Sequence, residues 1–132
     1  MSDKGSPKKK LLAVDDEPNI RLLIKRIFEE EFEVFEAENG NKAFDMAKRH
    51  VPDVILMDIM MPEADGLSAL NEMKAYPQTS KIPVIMLTGV GHEVNERLAQ
   101  SVGANGYMRK PIKSQELIDA VRNVTKRKLA SG

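Results

Sequence analysis

Cysteine is absent from the 132 residues, which excludes disulfides, thiolate zinc sites, iron–sulfur clusters and cysteine nucleophiles, and suits a reducing cytosol. Histidine is scarce, and His50 and His92 are the two imidazoles left for base or metal chemistry. Long apolar runs are missing too: none approaches the ~18 residues that a membrane span needs. The first apolar block, Leu11 to Val14, is four residues long, too short for the apolar core of a signal peptide. Nor is there an excess of one charge, since 20 Lys and Arg offset 20 Asp and Glu. The charges are nevertheless uneven, because each end carries +3 and residues 13–122 sum to −6. An acidic body argues against a direct nucleic-acid surface, and short basic termini read as solvated ends. What is present, 42% apolar and 30% charged residues, is the composition of one soluble globular domain.

Residues 1–8, rich in Ser, Gly, Pro and charge, cannot bury apolar surface and are expected to be a disordered leader. The fold is expected over 9–127, with 128–132 as a flexible tail. Leu11 to Val14, Val54 to Met57 and Val84 to Leu87 are continuous apolar blocks, as in strands buried on both faces. Phe32 to Ala37 and Gly106 to Arg109 are weaker strand candidates. The glutamates from Glu29 to Glu38 suit an edge strand, where charge discourages pairing with another molecule.

Between the blocks, helical spacing recurs. Ile20, Leu23, Ile24, Ile27 and Phe28 form one stripe behind Pro18, which fits the first helical position. Residues 41–50, then Leu67, Leu70 and Met73, then Val94, Leu98 and Val102 before Gly103, mark three more helices. A fifth opens at Ser114, expected as its N-cap. Five strands alternating with five helices predict an α/β fold, a parallel sheet with helices on both faces.

Each buried strand is followed by a polar group: Asp15 and Asp16, then Asp58, then Thr88, and Lys110 after the last. In an open parallel sheet these C-terminal ends share one edge, where such folds bind ligands. Clustered carboxylates repel one another unless a cation sits between them or one is protonated. Oxygen donors with no neighbouring His or Cys favour a hard ion, with Mg²⁺ the default, and Mg²⁺ welcomes phosphate oxygens. The pattern therefore points to phosphoryl chemistry, in which one carboxylate can be the nucleophile. Taken singly, Asp15 or Asp16 could equally cap the first helix. The methionines Met57, Met60 and Met61 read as packing, His92 as a loop residue, and His50 as a cation favourable at a helix end.

Val14-Asp15-Asp16-Glu17, the run Met57 to Gly66 containing Asp58, Met61-Pro62 and Asp65-Gly66, Leu87-Thr88-Gly89, and Gly103 to Pro111 together resemble the receiver domain of two-component response regulators, of the chemotaxis-regulator kind. The resemblance implies a flavodoxin-like doubly wound sheet of order 2-1-3-4-5. It implies a phosphorylation-dependent switch rather than a turnover enzyme. Asp58 is then the phosphoacceptor, served by a sensor histidine kinase or a histidine phosphotransfer protein. Asp15, Asp16, Asp58 and the Met60 backbone carbonyl are the expected Mg²⁺ ligands, and Thr88 with Tyr107 the expected switch pair. Lys110 would meet a phosphoryl oxygen, with a cis Lys110-Pro111 bond. The output would pass through the fourth helix, fifth strand and fifth helix to a protein partner or to an output domain on a longer chain. A cytoplasmic location and a phosphorylation-linked homodimer accompany this reading.

Some positions depart from the family pattern. Ile112 stands where phenylalanine is common, and Asn105-Gly106 lacks the acidic pair often found before the tyrosine. Met60 and Val90 are apolar where fast-dephosphorylating relatives tend to be polar, which implies a long-lived phosphoryl group. Two rivals remain at this point: an Mg²⁺-dependent phosphatase of haloacid-dehalogenase type and an inert scaffold. The first places its nucleophile after the first strand as Asp-x-Asp, whereas here Asp15-Asp16-Glu17 stands there.

Overall fold

The computed structural model describes residues 8–59, 66–89 and 93–131. The elements run β1 (Lys9–Val14), α1 (Pro18–Phe28), β2 (Phe32–Ala37), α2 (Gly40–His50), β3 (Val54–Asp58), α3 (Gly66–Ala75), β4 (Val84–Thr88), α4 (Glu93–Val102), β5 (Gly106–Arg109) and α5 (Ser114–Ser131). The five strands form one parallel sheet in the order β2-β1-β3-β4-β5. This is the flavodoxin-like α/β arrangement, and β2, with its glutamates, is an edge as the charge pattern predicts.

Alternation along the strands divides the core in two. Leu12, Val14, Ile55, Met57, Val84 and Met86 pack under α2, α3 and α4. Leu11, Ala13, Leu56, Ile85 and Leu87 face the other way, against Ile24 and Phe28 of α1 and Leu117 and Val121 of α5. Because both faces are covered, the strands read as unbroken apolar runs. Each fully buried Leu or Ile contributes roughly 1.5–3 kcal/mol through lost water contact.

Local chemistry sets the helix ends. Pro18 begins α1 behind Glu17, whose carbonyl accepts the Ile20 and Arg21 amides at 3.1 and 3.3 Å. Neither Asp15 nor Asp16 is therefore the cap. Asn39 caps α2 by accepting the Lys42 amide at 2.9 Å. At Gly103, φ is 117°, and the amides of Gly103 and Ala104 return to the Ala99 carbonyl at 3.1 and 2.9 Å, closing α4.

Two expectations need correction. Leu23, counted in the apolar stripe of α1, is 38% exposed, because α1 turns Ile24 and Phe28 to the sheet and leaves Leu22 and Leu23 at its margin. Ser114 is the first helical residue rather than the cap, since the Lys113 carbonyl takes the Leu117 amide at 3.0 Å. The α5 backbone is helical to Ser131, beyond residue 127. Of the expected leader, only Lys8 lies among the described residues.

Candidate functional site

The chain leaves β2 at one edge and returns through α2 to β3 on the far side of β1. Connections therefore diverge at the C-terminal ends of β1 and β3, opening the crevice where folds of this type hold ligands. Asp15 and Asp16 follow β1, and Asp58 closes β3. One carboxylate oxygen from each of the three lies within 4.8 Å of the others. Asp15 and Asp58 are buried, while Asp16 is exposed at the mouth.

Asp15 is fixed on every side. Its amide donates to the Ala37 carbonyl at 3.1 Å, Oδ1 accepts the Glu17 amide at 2.9 Å, and Oδ2 accepts Lys110 Nζ at 3.0 Å. Lys110 Nζ also stands 3.4 Å from Asp58 Oδ2 and 3.9 Å from Glu17 Oε1. Burial pushes the Lys110 pKa down, but the hydrogen bond to Asp15 and the charge of Asp58 outweigh it and hold the ammonium above the ordinary lysine value. The Lys110-Pro111 bond is cis, and the Lys110 amide donates to the Thr88 carbonyl at 2.6 Å.

Thr88 is 1% exposed, and its Oγ1 is a buried side-chain oxygen without a hydrogen-bond partner among the described residues. Left unpaired, a buried hydroxyl costs about 1–3 kcal/mol. β3 and β4 pair Asp58 with Leu87, which puts Thr88 one residue beyond Asp58's partner. Tyr107, opposite Met86 in β5, is half-buried against the core on the α4 side.

Asp15, Asp16, Asp58 and Lys110 are thus gathered in one place, with Thr88 at the adjoining strand end. The Met60 carbonyl, Val90 and His92 lie outside the described residues. Met57 is core, and His50 stacks on Phe35 with ring centroids 4.1 Å apart.

Three neighbours were not legible as site residues. Glu17 approaches Lys110. Arg21 donates Nη1 to the Asp15 carbonyl at 2.7 Å and Nε to Glu36 Oε1 at 3.0 Å. Gly66 opens α3 so close to β3 that a Cβ would lie 2.2 Å from the Asp58 carbonyl oxygen. Glu17 and Gly66 had a signal, as members of the Val14-Asp15-Asp16-Glu17 and Asp65-Gly66 motifs, whereas Arg21 had none.

The donor set fits a hard divalent cation. Three carboxylates against one ammonium leave two negative charges, and every donor is oxygen. Mg²⁺ would be held by Asp15, Asp16 and Asp58. Among the described residues, no helix is long and apolar enough to cross a membrane.

A doubly wound sheet carrying acidic residues after β1 and β3 and a lysine after β5 defines a class, and comparison with known proteins agrees. The family described as the response regulator receiver domain matches residues 11–122, and the chain belongs to that family. It is 42% identical over 117 residues to the chemotaxis protein CheY of Halobacterium salinarum, covering 88% of this chain and 96% of that protein. It is 38% identical over 118 residues to the transcriptional regulatory protein SrrA of Staphylococcus aureus, covering 89% of this chain but 48% of SrrA. A crystal structure of a response regulator receiver domain protein from Clostridium thermocellum superposes with a TM-score of 0.86 at 34% identity, over 94% of this chain and 99% of that one. Chemotaxis protein CheY4 of Vibrio cholerae gives 0.83 at 29%, over 89% and 98%.

Proposed function

We propose that this chain is a phosphorylation-dependent signalling switch. An Asp58 carboxylate oxygen attacks the phosphorus of a phosphohistidine on a sensor histidine kinase or a histidine phosphotransfer protein. The new O–P bond replaces the N–P bond, and the donor's imidazole is the leaving group. A bound Mg²⁺ supplies the charge that offsets the three carboxylates and the phosphoryl oxygens. Lys110, already between Asp15 and Asp58, pairs with a phosphoryl oxygen as a point charge. Thr88 Oγ1, which has no partner among the described residues, donates to another.

Movement of Thr88 toward the phosphoryl group lets the Tyr107 ring turn inward, and the α4, β5 and α5 surface shifts its population toward the partner-binding form. The output is a separate protein or a domain on a longer chain, arrangements whose lengths the halobacterial and staphylococcal relatives respectively match. The protein works in the cytoplasm and catalyses its own phosphorylation and slow dephosphorylation.

The observation that carries this reading is the meeting of three carboxylates within 4.8 Å under one lysine ammonium. Intact mass after incubation with Mg²⁺ and acetyl phosphate tests it, beside Asp58→Asn and a chelator control. One phosphoryl group should appear on the wild type, and only with Mg²⁺. Absence of the adduct, its appearance on Asp58→Asn, or repeated turnover of a phosphate ester would contradict the reading.

A further inference from the structure

We infer that Arg21 is a positioning residue for the metal-binding turn, fixing the peptide that joins Asp15 to Asp16. The inference rests on the reading that these carboxylates hold Mg²⁺. Arg21 stands in the first turn of α1, and its side chain is 17% exposed, low for a group that sequence alone would place on a solvated face. Its fork is used in two directions: Nη1 donates to the Asp15 carbonyl at 2.7 Å, and Nε donates to Glu36 Oε1 at 3.0 Å. Glu36 sits on β2 opposite Ala13, and the next residue, Ala37, accepts the Asp15 amide at 3.1 Å. Asp15 is therefore held at its N–H by the β2 backbone and at its C=O by a guanidinium anchored on β2.

The Asp15 carbonyl belongs to the same peptide plane as the Asp16 amide, so clamping that oxygen sets the orientation from which the Asp16 carboxylate departs. Asp15 itself has further restraints in Lys110 and the Glu17 amide. Asp16, exposed at the mouth, depends more on its backbone for direction. Groups that orient metal ligands typically change affinity ten- to a hundredfold when removed.

The sign of the effect separates positioning from charge. A guanidinium beside an acidic site repels a divalent cation, so as a mere neighbouring charge Arg21 would weaken Mg²⁺ binding, and its removal would strengthen it. As a positioner, its removal weakens binding. Lysine keeps the charge and loses the two-directional fork.

Titration calorimetry of Mg²⁺ into wild type, Arg21→Met and Arg21→Lys, each checked for folding by circular dichroism, reads this directly. Arg21→Met should raise the Mg²⁺ Kd about tenfold, with Arg21→Lys raising it by less. A folded Arg21→Met that binds Mg²⁺ as tightly as wild type, or more tightly, overturns the inference. Should Arg21→Met fail to fold, Arg21→Lys decides: weaker binding supports the inference and wild-type affinity overturns it. Failure of the wild type to bind Mg²⁺ would instead overturn the metal reading, and this inference with it.

Discussion

The two edges of the sheet treat polar groups in opposite ways. At the C-terminal edge, three carboxylates crowd within 4.8 Å, one lysine serves two of them, and the Thr88 hydroxyl is buried without a partner among the described residues. At the N-terminal edge, polar groups are matched. Asp53 accepts the Lys10 amide at 2.7 Å, and Asn105 Oδ1 accepts the Val84 amide at 3.0 Å while the Asn105 amide returns to the Val84 carbonyl at 2.8 Å. Lys74 reaches in from α3 to donate to Ile82 O at 2.9 Å, Asn105 Oδ1 at 3.3 Å and Ser80 O at 3.4 Å. One edge pairs its polar groups, and the other gathers like charges whose repulsion a divalent cation could relieve. The same strands, capped by different residues, carry both.

The largest disturbance of this contrast is expected from Gly66→Ala. Its Cβ would meet the Asp58 carbonyl oxygen at 2.2 Å and Ile59 Cα at 2.9 Å, both backbone atoms of the site edge. Glycine has no advantage over alanine as a helix former, so a net loss isolates the clash. We expect about 2 kcal/mol lower stability in urea unfolding, with weakened Mg²⁺ binding. A gain in stability would show that α3 does not press on β3.

A smaller effect sharpens the other edge. Asn105→Asp keeps an acceptor for the Val84 amide and gives Lys74 a carboxylate partner. It should add about 0.5–1 kcal/mol at neutral pH without altering phosphoryl uptake. The new carboxyl's folded pKa falls below its unfolded value near 3.9, so the gain is present above that pH and lost as pH falls through the folded pKa. Equal stability at neutral pH would count against the pairing.

The smallest effects compare the two lysines in alkali. Burial lowers the Lys74 pKa, and its acceptors are two carbonyls and an amide oxygen. Burial also opposes the Lys110 charge, but Asp15 and Asp58 raise its pKa overall. The linkage signs therefore differ. Stability owed to Lys110 is complete below 10.5 and lost as pH rises through its raised folded pKa. Lys74 binds fewer protons folded than unfolded just below 10.5, so its contribution improves as pH rises toward that value. In unfolding curves over about pH 8–11, Lys110→Met should lose the late fall and Lys74→Met the earlier rise. Parallel curves for both would contradict the assignment.

Much of this architecture is legible in the sequence because a strand buried on both faces leaves an unbroken apolar run, and the residue after it marks the sheet edge. That logic located Asp15, Asp58, Thr88 and Lys110. It fails where a contact depends on the angle between elements. Leu23 shares the helical spacing of Ile24, yet α1 sits so that Leu23 reaches water. Arg21 and Lys74 look like ordinary surface charges, and their oxygen partners lie across the fold on residues that no periodicity links to them. Asn105, a departure from the family's acidic pattern with no evident consequence in the sequence, proves to hold β4 and the start of β5 in register with a neutral side chain.

The central claim is that the C-terminal edge stores carboxylate repulsion that a divalent cation relieves. Urea unfolding of the wild type and Asp58→Asn, each with and without Mg²⁺, tests it most directly. Without Mg²⁺ the mutant should be more stable by about 1 kcal/mol, having lost one member of a like-charge cluster, and Mg²⁺ should stabilise the wild type more than the mutant. Equal or lower stability of Asp58→Asn in the absence of Mg²⁺, with no difference in the response to the ion, would contradict the account.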